Sequence, residues 1–499
     1  MGSESPALRL LLQLFWVSPW HLFWAWWRCG STFAFLAHLG ALRFRERVAL
    51  WDDQGALTFG QLHQLGEGLA SALRLQHGVG PGAQVALMCG NHRGFVLGLL
   101  AVTRLGADVL PLSSNLPARV LATILERQKV SLVLHDGELR PGDYSGAVLD
   151  IGAWEGADGE TLPRVSRPGQ LVVLTSGSTG ISKGIRRRPK FWQVLPLLLG
   201  LLRQLPFRMH RPMVLAIPLH HGYGIATLAL SLALGAPLSM GRRYEIGPLL
   251  ERIQGESALL VTVPTLLLRW LKNSSRIPKL AAIITGSAPL DASLCQQLLQ
   301  RCGPILFNLY GSSEAGLVAL ATPTALQQAP GTVGRPLPAN RVRLLDAEGN
   351  EVAVGETGRI WVSGPFVLGP NAEGWRDTGD LGRQDAAGHL FVVGRADSMF
   401  VSGGENVYPH EVEDVLAQHP SLTDFAILVV ADAEFGQRMV AAVVARSTDP
   451  VSPEQLKEWL RARLERFKVP RQIEILSKIP RNPLGKLDRP ALLEALGLG

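Results

Sequence analysis

Residues 174–184 read LTSGSTGISKG. Glycines let successive backbone N–H groups converge on one point, hydroxyls add donors, and a lysine adds a mobile charge. Together they supply the chemistry that holds a polyphosphate. The candidate phosphate ligands are Thr175, Ser176, Gly177, Ser178, Thr179, Gly180 and Lys183. The loop is not a Walker A sequence, because Gly180 lies only three positions before Lys183 and Gly184 follows the lysine. Taken alone, such a loop is equally a flexible turn. Its weight comes from the other polar clusters: PLHHGYG (218–224), GSAPL (286–290), YGSSEAG (310–316), WRDTGDLG (375–382), GRADSMFVSGGENVYPHEVED (394–414) and NPLGKLDR (482–489).

These clusters need a large scaffold. A chain of 499 residues predicts two to four units at about 100–200 residues per domain. Hydrophobic residues make up 47%, enough for a large core, so wholesale disorder is excluded. Apolar runs at 85–89, 109–112, 132–135 and 171–176 read as short buried strands, with helical periodicity over 92–106 and 116–128. That alternation predicts parallel α/β units, and the same texture continues through 214–306. From about 330, closely spaced turn signals between alternating strands predict a small β-barrel or meander. A compact α/β tail follows. The fold expected is thus α/β: two parallel α/β subdomains and a small β-barrel in residues 45–396, then a small α/β domain in 397–499.

Net charge is +7, which suits an anionic ligand, a nucleic acid or an acidic membrane surface without choosing among them. Cys29, Cys89, Cys295 and Cys302 show no CxxC spacing and no accompanying histidine cluster. Buried, inert thiols in a reducing cytoplasm are therefore expected, rather than zinc or disulfides. Residues 1–44 form an apolar lead-in. Leu10 to Trp27 includes Trp16, Trp20, Trp24, Trp26 and Trp27, but Gln13, Pro19 and His21 interrupt it, and Pro19 should break or kink a helix. Tryptophan favours the headgroup zone, so two readings stand: peripheral contact with the cytoplasmic face of a membrane, or packing on the protein's own surface.

In order and spacing, the polar clusters closely resemble the adenylate-forming superfamily: acyl-CoA synthetases, the adenylation domains of peptide synthetases, and luciferases. The likeness runs from about residue 45 to the end. NHRGFV (91–96) and KGIRRRP (183–189) look most like a bacterial fatty-acyl-CoA ligase branch. The resemblance implies ATP and Mg²⁺ as cofactors and coenzyme A as co-substrate. Small molecules, not nucleic acid, would then be the partners.

It also implies roles for particular residues. Glu314 resembles the Mg²⁺-bearing carboxylate, with Ser313 beside it where threonine is usual. Gly286, Ser287, Ala288, Pro289, Tyr310 and Gly311 resemble the adenine pocket, Tyr310 as the stacking aromatic. Asp380 and Arg395 resemble the ribose contacts. Lys486 resembles the lysine that stabilises charge on the α-phosphate while pyrophosphate leaves. His221 matches the histidine near the acyl carboxylate, with His220 as its competitor. Asp397 falls at a hinge about which the small domain rotates. That rotation would withdraw Lys486 and present Ser402, Gly403, Gly404 and Glu405 to the pantetheine arm. Ser182 stands where the family commonly has proline, which removes no ligand.

The acid itself is read from a gap in the charge pattern. Val214 to Gly241 contains no Asp, Glu, Lys or Arg, so nothing there would pair with a substrate ammonium. Some of Leu219, Ile225, Leu228, Leu230, Leu232 and Leu234 must form helix core, and the rest would suit a medium- or long-chain fatty acid, with an aromatic acid as the alternative. A thiol on a separate carrier protein is the alternative acceptor.

Overall fold

The computed structural model describes residues 18–498 apart from 114–117, 138–145, 157–158, 176–182, 187–190, 254–256, 275–276, 313, 397–399, 403–404, 408, 433–435, 447, 465–467 and 482–486. The expected α/β texture is present in two sheets. One has nine strands, with the neighbours Val48–Asp52, Leu238–Ser239, Met213–Leu215, Ala258–Thr262, Leu280–Gly286 and Leu306–Ser312 all parallel. Antiparallel strands close its edges, Gly55–Thr58 on one side and Gly316–Ala321 with Arg335–Pro336 on the other. The sheet is therefore mixed where sequence predicted parallel units, because tight hairpins follow its outermost parallel strands.

The second sheet is wholly parallel, in the order Asp108–Pro111, Gln84–Met88, Leu132–His135, Ala147–Asp150. The first three strands are buried on both faces, which is why they read as unbroken apolar runs. The strand expected at 171–176 spans Val172–Thr175 and pairs antiparallel with Lys183–Arg186, placing Thr175 opposite Lys183.

Where a barrel or meander was expected, the described residues form a four-stranded antiparallel meander: Arg341–Leu345, Thr357–Ser363, Arg376–Gln384 and Leu390–Arg395. The C-terminal unit has a three-stranded sheet, Leu422–Asp432, Gly436–Ala445 and Gln472–Ile475, with helices Pro409–Leu416, Pro453–Arg461 and Arg489–Ala495.

Among the described residues Pro19 opens a helix, and what precedes Ser18 lies outside them. Helix Pro19–Cys29 begins at the proline itself, where a missing N–H costs nothing. The helix is tied down by charge. Glu67 accepts from Arg28 at 2.8 Å and from Arg104 at 2.7 Å. The Arg104 side chain is buried, and its remaining donors reach the carbonyls of Pro163 and Leu162. Leaving such a buried charge unpaired costs about 3–5 kcal/mol, so the triad fixes the helix firmly. All four cysteines are free, and burial pushes the Cys29 thiol up to about 11.

Candidate active site

Among the described residues, a cavity of about 2440 Å³ is lined by residues from each of the polar clusters other than the phosphate loop. Gly286, Ser287, Ala288 and Pro289 line it where they leave strand Leu280–Gly286, and Tyr310, Gly311 and Glu314 line it around the end of strand Leu306–Ser312. These strands are parallel neighbours in the sheet, so both clusters emerge at the same edge, the usual place for a ligand site in such folds. Ser287 holds a left-handed backbone at φ 64°, which bends the GSAPL segment sharply away from the strand. The Ser312 hydroxyl accepts from the N–H groups of Glu314 and Ala315 at 3.3 and 3.0 Å and turns the chain so that Glu314 faces the cavity.

Asp380 and Arg395 also line the cavity. They are directly opposed across the antiparallel strands Arg376–Gln384 and Leu390–Arg395. Arg395 Nη1 lies 3.2 Å from Asp380 Oδ1, so the salt bridge is real. The Arg395 side chain is still 53% exposed, which leaves it reach beyond that pair. The Tyr310 hydroxyl donates to Asp380 Oδ2 at 2.6 Å. Burial, then the Asp380 carboxylate, push that phenol well above its ordinary value, so it stays a donor. Tyr310 thus orients the carboxylate as well as lining the pocket. Thr378 completes the arrangement: its hydroxyl lies 3.4 Å from the Tyr310 hydroxyl, receives the Asp380 N–H at 3.1 Å and donates to the Ile360 carbonyl. Sequence reading passed over Thr378 and Ser312, although both stand inside the quoted motifs.

The two histidines separate cleanly. His221 lines the cavity and precedes helix Gly222–Leu234. His220 has its Nε2 buried without a hydrogen-bond partner, and burial, then His221, lower it to about 3. It therefore stays neutral at physiological pH. The glycine of this segment has a steric reason. A β-carbon on Gly224 would lie 2.3 Å from the Pro218 carbonyl oxygen. Gly224→Ala is expected to displace the His221 turn, costing about 1–3 kcal/mol of stability, and a thermal melt with parallel AMP assays would read both effects.

The acyl wall corrects the sequence reading. Ile225 and Leu230 line the cavity, whereas Leu219, Leu228, Leu232 and Leu234 are buried in the main core. Helical period decides this: Tyr223, Ala226, Thr227 and Leu230, at i, i+3, i+4 and i+7, share the cavity face. Opposite stand Leu197, Leu198 and Leu201 of helix Phe191–Gln204. No charged side chain belongs to this wall among the described residues.

Ser176 to Gly180, Ser313, Asp397, Gly403, Gly404 and Lys486 lie outside the described residues. Thr175 and Lys183 flank the phosphate loop as facing strand residues, and Ser402 faces Glu405 in the two-stranded hairpin Phe400–Ser402 and Glu405–Val407. Among the described residues no group of three or more His, Cys, Asp or Glu gathers to hold a metal. That pattern fits Mg²⁺, which takes one or two carboxylates and completes its shell with phosphate and water. Glu314, facing the cavity with Asp380, suits this part.

Acidic groups from the C-terminal unit face the same space. Asp414 on helix Pro409–Leu416 is pushed up to about 6, by burial first and then by Asp291 and Glu411. Asp291 caps helix Ala292–Cys302, accepting from the N–H groups of Ser293 and Leu294. The folded Asp414 carboxyl holds its proton where the unfolded one has lost it. Its contribution is therefore complete below about pH 4 and is lost as pH rises through about 6. The melting temperature of Asp414→Asn should accordingly rise relative to wild type across that window, read by thermal melts at successive pH values.

A polar cleft at the strand ends, continuous with an apolar wall and lined also by the small C-terminal α/β unit, is the arrangement of an adenylate-forming enzyme. The chain belongs to the AMP-binding enzyme family, matching its main domain over residues 37–369 and its C-terminal domain over 411–486. Its relatives are CoA ligases. A feruloyl-CoA synthase from Amycolatopsis is 31% identical, covering 87% of this chain and 92% of the relative. The 2-succinylbenzoate–CoA ligase of Escherichia coli is 33% identical, covering 94% and 98%. The o-succinylbenzoate CoA synthetase of Bacillus subtilis, solved in complex with ATP and magnesium ion, superposes with a TM-score of 0.79 at 26% identity, covering 92% and 98%.

Proposed function

We propose that this chain condenses a hydrophobic carboxylic acid with ATP to give an acyl-adenylate and pyrophosphate, then transfers the acyl group to coenzyme A, releasing AMP. The observation that carries this reading is the shared cavity: Glu314, Asp380, Arg395 and the 286–289 loop open onto the same space as the uncharged wall of Leu197, Ala226 and Leu230. The acid's carboxylate and the α-phosphate can therefore meet inside one enclosure.

Each group has a defined task. The Asp380 carboxylate, held by the Tyr310 hydroxyl and Arg395, accepts hydrogen bonds from ribose hydroxyls. The 286–289 loop and Tyr310 flank the base. Glu314 would hold Mg²⁺, which supplies charge neutralisation on the phosphates. His221 is positioned by its turn to contact the acyl carboxylate. Thr175, Lys183 and the residues of 176–180 would cradle the polyphosphate, with Ser313 beside Glu314. Lys486 would serve the first half-reaction, and the Ser402–Glu405 segment the second, after rotation about Asp397. The domain boundaries at 44 and 396 belong to this proposal, as does a cytoplasmic protein in peripheral membrane contact through its N-terminus.

An aromatic acid with an uncharged ring suits the site best. The relatives named for feruloyl and succinylbenzoate substrates support the aromatic class. A second carboxylate, as in succinylbenzoate, would find no cation on the described acyl wall and would be costly to bury. A medium- or long-chain fatty acid is the second reading, favoured by the continuous leucine lining, where each buried methylene contributes about 0.8 kcal/mol. The test is AMP and pyrophosphate release across cinnamate-type acids and saturated fatty acids, with CoA or a phosphopantetheinyl carrier as acceptor. Higher kcat/KM for the ring acids with CoA is expected. Absence of AMP with every hydrophobic acid would overturn the reading.

A further inference from the structure

The largest outward-facing apolar surface lies on helix Pro19–Cys29, in residues that precede the matched family region. Its inward side is small and buried: Ala25 and Cys29. Its outward arc is aromatic, with Trp20 71%, Phe23 54% and Trp26 51% exposed, joined by Trp24 and Trp27. Their rings touch in sequence, Trp20 to Phe23 at 6.2 Å and Phe23 to Trp26 at 6.3 Å, so they form a continuous patch. Scattered exposed apolar residues need no explanation, but a contiguous patch of this kind marks an interaction site.

Charge identifies the occupant. Arg28 and Arg45 are paired with Glu67 and Glu46, so the cationic border of the patch rests on the exposed Arg164 and Arg167 beside it. Arg28 lies over the Trp24 ring at 5.5 Å, and Arg164 lies over the Trp27 ring at 5.6 Å. Arg167, in the same flanking segment, is exposed. Indole rings with a cationic border match the headgroup layer of an anionic bilayer, where tryptophan's amphipathic ring is most at home. No described helix is long and apolar enough to cross a membrane; an aromatic arc on one side of a short helix suits a contact in the plane of the interface.

The position relates this face to the cavity. Three residues after the helix, helix Phe33–Phe44 begins, and its first residue, Phe33, lines the cavity. The structure assigns helix Pro19–Cys29 as a docking face for anionic lipid surfaces, one that sets the acyl cavity beside the bilayer from which a membrane-soluble acid is taken. The uptake of acid rests on the hydrophobic-acid reading above; the docking does not.

The experiment uses the full chain with two kinds of vesicle: phosphatidylcholine alone, and about two parts phosphatidylcholine to one part phosphatidylglycerol. Flotation and tryptophan fluorescence should show binding and a blue shift with the anionic vesicles, weakened by salt. The outward triple variant Trp20→Ser, Phe23→Ser, Trp26→Ser should lose about tenfold or more of that binding. It should keep its AMP formation from a water-soluble acid, which shows that it is folded. Arg164→Gln with Arg167→Gln should reduce the preference for anionic over neutral vesicles. Equal binding by wild type and the triple variant, or wild type that stays off both vesicles, overturns the assignment. So does self-association in lipid-free buffer, abolished by the triple variant, with no vesicle binding. If vesicles bind but no hydrophobic acid is turned over, docking stands and the reading of the reaction fails.

Discussion

Lys486→Ala is expected to slow acyl-adenylate formation by about 10²–10³-fold while leaving transfer from supplied acyl-adenylate to coenzyme A within a few-fold of wild type. The reasoning is chemical. During attack on the α-phosphorus, charge gathers on the nonbridging oxygens, and a cation placed there contributes most at the transition state. The second half-reaction expels AMP through thiolate attack on a carbonyl carbon and has no such demand. Separate measurement of pyrophosphate exchange and of thioester formation from synthetic acyl-adenylate distinguishes the two steps. Equal loss in both would assign Lys486 to folding or to domain contact instead.

The second large effect concerns Glu314. Glu314→Gln keeps the size and the backbone turn made by Ser312 but removes the negative charge that faces the cavity. kcat for adenylation should fall by about 10²–10³-fold, and the Mg²⁺ concentration needed for half-maximal rate should rise. A magnesium titration at saturating ATP tests this. An unchanged magnesium dependence would move the metal to another carboxylate lining the cavity, such as Asp380.

How much was legible beforehand differs by level. The double-sided parallel strands showed as apolar runs because both faces are buried, and Leu132–His135 was bounded to the residue. Edge strands such as Gly316–Ala321 were not seen, since pairing at a sheet edge depends on what the chain meets after a hairpin. The motif residues Glu314, Tyr310, Asp380 and Arg395, singled out from separate stretches of sequence, line one cavity. The bond from Tyr310 to Asp380 was not foreseen, because it joins residues far apart in sequence whose only link is a shared wall. The leucines of 214–241 read as acyl lining with some of them expected in the helix core, but not which. Only helix phase, fixed by packing against the core, divides Leu230 from Leu228. At Pro19 the described residues show the start of a helix, the position where a proline's missing N–H is tolerated.

The register between Arg376–Gln384 and Leu390–Arg395 has a consequence for recognising inactive relatives. Asp380 and Arg395 meet because Gln384 is aligned with Leu390 near the connecting turn and an irregularity between Leu381 and Gly382 then shifts the register by one residue. One residue inserted between them would slide the ladder by a step and send alternate side chains to opposite faces. Every hallmark letter would survive in an alignment, yet the Asp380–Arg395 pair would be dismantled. Turn length here is thus a better warning of lost chemistry than any missing motif residue.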